Sequence, residues 1–128
     1  MQNHRILVVE DDPAMRRLLA ETLREDGHQV QVVSSGLAAV DELHAAVNGG
    51  DRIPDVLVSD LRMPGYSGLD TVRRLRELGC EMYVFLMTAF GSDELRTEAY
   101  ELGVLEVFDK PFDVSELLAA IRRLDVGR

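Results

Sequence analysis

Four short polar clusters in this 128-residue sequence combine residue types that phosphoryl transfer needs: Glu10-Asp11-Asp12, Ser59-Asp60, Thr88 and Asp109-Lys110-Pro111. Each follows an apolar run, namely Ile6 to Val9, Val56 to Val58, Tyr83 to Met87 and Val104 to Phe108. Carboxylates crowded together repel, which raises a pKa or calls for a cation. Donors that are all oxygen point to Mg²⁺, which keeps several waters and needs few protein carboxylates. Asp60, alone at the end of its run, can then attack phosphorus in line and form an acyl phosphate. The Thr88 hydroxyl, the Lys110 ammonium and a bound Mg²⁺ would hold the equatorial oxygens.

These clusters must be carried to one place, and the pattern between them says how. The four runs and Val30 to Val33 are short and rich in β-branched residues, as strands are. Helical periodicity fills the gaps. Asp12 caps a first helix with Pro13 at its first position and Gly27 beyond its end, and Met15, Leu18, Leu19, Thr22 and Leu23 share a face. Ala38, Val40, Leu43 and Val47 predict a second helix ended by Asn48-Gly49-Gly50. Leu69, Val72, Leu75 and Leu78 predict a third, opened by a Ser67/Asp70 capping box and stopped by Gly79. Leu95, Ala99 and Leu102 mark a thin fourth between Ser92 and Gly103, interrupted by Thr97, Glu98 and Tyr100. A fifth opens at Asp113 and carries Leu117, Leu118, Ile121 and Leu124. The order βαβαβαβαβα predicts one open, doubly wound α/β domain with a parallel sheet covered on both faces. The first, third and fourth strands are apolar enough to be central, whereas Val30-Gln31-Val32 alternates and suits an edge. All strand C-termini then share one edge of the sheet, where ligands of such folds sit.

Composition agrees with one globular domain: 46% hydrophobic and 29% charged residues lie far from the disordered corner. The net charge of −9 argues against direct nucleic-acid binding. The longest large-apolar stretch, Met82 to Met87, falls far short of the roughly 20 residues of a membrane span. A single cysteine, Cys80, excludes an internal disulfide and suits the cytoplasm as a small buried residue. His4, His28 and His44 have no paired ligand spacing.

The segments RILVVEDDPAMRRLL, VLVSDLRMPGYSGLD, FLMTAFGS and FDKPF, in this order and at these strand ends, resemble the receiver domain of bacterial two-component response regulators over essentially the whole chain. The resemblance implies a flavodoxin-like (βα)5 fold with strand order 2-1-3-4-5 and a receiver domain over residues 1–128. It makes Asp60 the phosphoacceptor, Thr88 the switch hydroxyl and Lys110 the family's lysine. Asp11, Asp60 and the main-chain carbonyl of Arg62 would hold Mg²⁺, with Glu10 completing the acidic pair through water. Such a domain is not a turnover enzyme but catalyses its own phosphorylation and dephosphorylation. Its donor is a histidine kinase or phosphotransfer protein, its reader an output domain or partner protein, and a dimer formed on phosphorylation is compatible with it. Neither nucleic acid nor membrane is a direct partner. MPGYSGLD and MTAFGS are closest to receivers of the nitrogen-regulation type. Arg62 and Phe90 stand at rim positions that flank the path of the attacking water.

One departure is Val107, where the family usually has Tyr or Phe three residues before the lysine. Phe108 cannot replace that ring, because a one-residue shift turns a strand side chain to the opposite face. Signalling is therefore expected through Thr88, residues 89–92 and the fourth helix. Two other functions compete for parts of the pattern. A haloacid-dehalogenase-type phosphatase would put Asp where Glu10 stands and would need a cap segment. A flavodoxin-like nucleotide binder would need a Gly- or Ser/Thr-rich loop after the first strand, where three acids instead repel phosphate. A phosphorylation-independent scaffold would not need the full set. Pro64 and Gly68 read as turn formers, Tyr66, Tyr83 and Tyr100 as packing residues, and Lys110-Pro111 as a candidate cis bond.

Overall fold

Residues 3–63, 65–89 and 91–124 are described by a computed structural model of the chain. The apolar runs form β1 (Arg5–Val9), β2 (Gln29–Val33), β3 (Val56–Asp60), β4 (Tyr83–Thr88) and β5 (Glu106–Asp109), all paired in parallel. Their order is β2-β1-β3-β4-β5, the flavodoxin-like arrangement. Between them lie α1 (Pro13–Glu25), α2 (Gly36–Gly49), α3 (Gly68–Glu77), α4 (Asp93–Glu101) and α5 (Val114–Arg123).

Period-two alternation divides the core into two layers. Leu7, Val9, Leu57, Val84, Leu86 and Val107 face α2, α3 and α4, while Ile6, Val8, Val58, Phe85, Met87 and Phe108 face α1 and α5. Val107 and Phe108 are thus both buried on opposite faces of β5, as the one-residue argument requires. Phe108 packs between Phe85 and Phe112, with ring centroids 6.3 and 5.4 Å away.

Helix starts follow the expected caps at Asp12, Ser67 and Asp113, and Ser35 and Ser92 cap α2 and α4; each accepts a bond from a backbone amide in the first turn. The Ser67/Asp70 capping box is complete. Gly79 and Gly103, at φ +77° and +88°, take the left-handed conformation just past α3 and α4.

Several expectations are corrected. The buried face of α2 is Gly36, Ala39 and Leu43, whereas Val47 is exposed. Small residues give that helix little periodicity, and its phase is set by contact: a Cβ on Gly36 would come within 2.6 Å of Thr71 Oγ1 and 2.8 Å of the Tyr66 carbonyl. β5 begins at Glu106: the Val104 amide still returns to the Ala99 carbonyl, and Leu105, whose amide donates to the Val84 carbonyl of β4 at 2.9 Å, leads into the paired strand. Tyr83 and Tyr100 are exposed, while Tyr66 is part-buried. Cys80 is buried as expected. His4 and His28 are buried, with the His4 amide donating to His28 Nδ1 at 3.0 Å. Pro64, Phe90 and the last four residues lie outside the described residues.

Candidate functional site

The sheet puts the four polar clusters side by side. β1 and β3 are neighbours, so Glu10 and Asp11, immediately after β1, stand beside Asp60, the last residue of β3. Asp60 pairs in register with Met87, which places Thr88 one residue further along the next strand, and Thr88 pairs with Asp109 on β5. Lys110 follows at once, its amide donating to the Thr88 carbonyl at 2.7 Å. The bond from Lys110 to Pro111 is cis.

Lys110 closes the cluster. Its Nζ donates to Glu10 Oε1 at 2.9 Å and to Asp60 Oδ2 at 3.1 Å. The other Glu10 oxygen accepts from the Asp12 amide at 3.2 Å, so both carboxylate oxygens of Glu10 have donors. Glu10, Asp60 and Thr88 are buried, while Asp11 is exposed. One oxygen from each of Glu10, Asp11 and Asp60 lies within 4.8 Å of the others.

Charge is strongly perturbed here. Burial pushes the Glu10 carboxyl up to about 7, against the Lys110 and Asp12 hydrogen bonds that pull it down. At Lys110 burial also disfavours the charge, but the hydrogen bonds it donates to Glu10 and Asp60 outweigh it and hold the ammonium above its usual value. The two partners respond differently because Lys110 is part-exposed and serves two carboxylates, whereas Glu10 is enclosed and shares its cation. A site with more buried negative charge than one ammonium can balance suits a divalent cation, and its donors are all oxygen. The residues present therefore fit Mg²⁺.

Several site residues were not evident from spacing. Arg16, one turn into α1, donates to the Glu10 carbonyl at 2.9 Å and fixes the acidic loop; its position four residues after the cap was the available signal. Ser59 donates from its hydroxyl to the Asp60 carbonyl at 3.0 Å. Gly68 is more than a turn former. It is the first residue of α3, and a Cβ there would press on the Asp60 carbonyl and come within 3.0 Å of Leu61 Cα. Arg62 is exposed in the loop two residues after Asp60.

With this geometry in place, the comparison with known families is decisive: the sequence model of the response regulator receiver domain matches residues 6–122. The chain belongs to this family. It is a two-component signalling domain, and its motifs fall at the strand ends where the sequence analysis put them. The receiver is 33% identical over 123 residues to sporulation initiation phosphotransferase F of Bacillus subtilis, covering 96% of this chain and 94% of that protein. It is 42% identical over 120 residues to the transcriptional regulatory protein TcrA of Mycobacterium tuberculosis, covering 94% of this chain but only 45% of that one. Among solved structures, FixJ-N matches with a TM-score of 0.81 at 30% identity, over 96% of this receiver and 94% of that chain. No helix among the described residues is long and apolar enough to cross a membrane.

Proposed function

We propose that this receiver is a phosphorylation-dependent switch in which Asp60 accepts a phosphoryl group from the histidine of a kinase or phosphotransfer protein, with Mg²⁺ present. The observation that carries the reading is the bridging of Glu10 and Asp60 by the Lys110 ammonium beside a third carboxylate, Asp11. Asp60 Oδ attacks phosphorus in line, the phosphorus–nitrogen bond of the donor breaks, and the neutral imidazole leaves after taking up a proton. Lys110 Nζ, already at Asp60, moves with the charge onto a phosphoryl oxygen. The Thr88 hydroxyl donates to a second phosphoryl oxygen. Asp11, Asp60 and the main-chain carbonyl of Arg62 would hold Mg²⁺, with Glu10 acting through water. When bound, the cation supplies charge neutralisation that lets a carboxylate meet a phosphoryl group.

Residues 1–128 act as one receiver domain that catalyses its own phosphorylation and dephosphorylation. Its state is read by an output domain or a protein partner, in keeping with the names of the phosphotransferase and transcriptional-regulator relatives. We place this exchange in the cytoplasm, whose reducing conditions the buried thiol of Cys80 suits. Acetyl phosphate with Mg²⁺ should label wild type once per chain and leave Asp60→Asn unlabelled. Labelling retained by that variant overturns the assignment.

A further inference from the structure

Arg96 ties the N-terminal half of α4 to the end of β5. Its Nη1 donates to the Val107 carbonyl at 3.3 Å, and its Nη2 pairs with the Asp109 carboxylate. Asp109 is the register partner of Thr88 and the residue before Lys110. Gly91, between β4 and α4, lies against the same groups. A Cβ there would come within 2.9 Å of Thr88 Cγ2, 3.2 Å of Arg96 Nη2 and 3.5 Å of Asp109 Oδ1. Thr88, Gly91, Arg96 and Asp109 therefore form one packed cluster, and movement of any member is felt by the rest.

Little apolar area holds α4 in place. Ala99 is its one buried residue, against five on α3. Polar ties dominate instead. At the C-terminal end, Arg76 of α3 donates to the Leu102 carbonyl at 3.1 Å and to that of Gly103 at 3.5 Å, and Arg73 pairs with Glu98. At the other end the tie is Arg96. A helix held by hydrogen bonds and ion pairs near the surface can exchange one set for another at small cost, unlike one seated in a packed core.

We propose that the Arg96–Asp109 pair is a latch on α4. Closed, it keeps the N-terminal half of α4 and Gly91 in the arrangement of the unmodified domain. It opens when Thr88 and Lys110 are drawn toward a phosphoryl group, and α4 then pivots about its Arg76-held end. Arg96 and Asp109 are positioning residues that act through Thr88 and Lys110, and the proposal rests on Asp60 being the phosphoacceptor. Asp109 is 67% exposed, so opening the latch shifts the equilibrium by about two- to five-fold, the range an exposed ion pair can supply.

The test titrates beryllofluoride with Mg²⁺ into wild type, Asp109→Asn, Arg96→Gln and the exchanged pair Arg96→Asp/Asp109→Arg, followed by amide NMR. Each single variant should bind beryllofluoride about two- to five-fold tighter. Without the anion, its amides from Gly91 to Leu102 should already lie part-way toward the bound positions. The exchanged pair should return both readouts toward wild type. Lower thermal stability with unchanged or weaker beryllofluoride binding overturns the latch and leaves a packing contact. If wild type itself takes up no beryllofluoride, the phosphoacceptor reading fails separately. The anion-free amides then decide the latch: moved in the single variants and restored in the exchanged pair, they support it, and unmoved they overturn it.

Discussion

Glu10 and Asp11 are adjacent acids with different surroundings, and that difference should separate their contributions. Glu10 is buried, with one oxygen on Lys110 and the other on the Asp12 amide, so a cation must compete for it. Asp11 is exposed at the mouth of the site. A metal that keeps several waters needs only one or two direct carboxylates, and Asp11 and Asp60 are the available ones. Asp11→Asn should therefore lose more Mg²⁺ affinity than Glu10→Gln, as read by titration of the metal alone. At this scale the sequence was most legible, because residue types at strand ends declare their chemistry. What it concealed was that Lys110, 50 residues beyond Asp60, bonds both Glu10 and Asp60, and that Arg16 serves the backbone of Glu10.

The element that most constrains the site is α3. Its capping box starts the helix at Gly68, and the Gly68 amide donates to the Leu61 carbonyl at 2.9 Å, bringing α3 against the end of β3. Gly68→Ala must move either the helix start or the Asp60 backbone. We expect a loss of about 1–3 kcal/mol in denaturant stability from overpacking, together with weaker beryllofluoride binding because Asp60 is displaced. Removing the cap instead, by Ser67→Ala, should cost about 1 kcal/mol and leave that binding nearly unchanged. A stability loss in Gly68→Ala without any effect on binding would show that α3 yields and the site does not. The capping box could be read from two residues three apart. The close approach of Gly68 to Asp60 could not, because a glycine in sequence announces freedom of backbone and says nothing about what lies above it.

Across the whole molecule, α1 and α5 close the face of the sheet opposite α3 and α4, and a fork of hydrogen bonds links them. Arg122 of α5 donates to Asp26 Oδ2 at 3.1 Å through Nε and to Oδ1 at 2.6 Å through Nη2. The Arg122 hydrogen bond holds the Asp26 carboxyl below its usual value of 3.8. The unfolded chain therefore binds the proton first, and the pair contributes fully above 3.8 and is lost as pH falls through the lower folded value. Comparing wild type with Arg122→Gln by thermal unfolding, the stability gap present at neutral pH should narrow in acid below about pH 3.8. A gap that stays constant to lower pH would show that Arg122 contributes by packing.

Sequence by itself determined the element order, the caps of α1, α3 and α5, the apolar central strands with β2 at an edge, and the residue types of the site. Periodicity and helix-start chemistry are local, and the alternation of strands with helices leaves few topologies. It also determined that Val107 and Phe108 face opposite ways, since that follows from the pleat alone. Only the tertiary structure decided which side of α2 is buried, where β5 begins, and that Arg96 spans from α4 to β5. Those facts depend on contacts between residues of different elements or segments: Gly36 against Thr71, Leu105 donating to the Val84 carbonyl, and Arg96 reaching Asp109. Each is a matter of how closely two elements approach, and spacing along one segment carries no information about the distance to another.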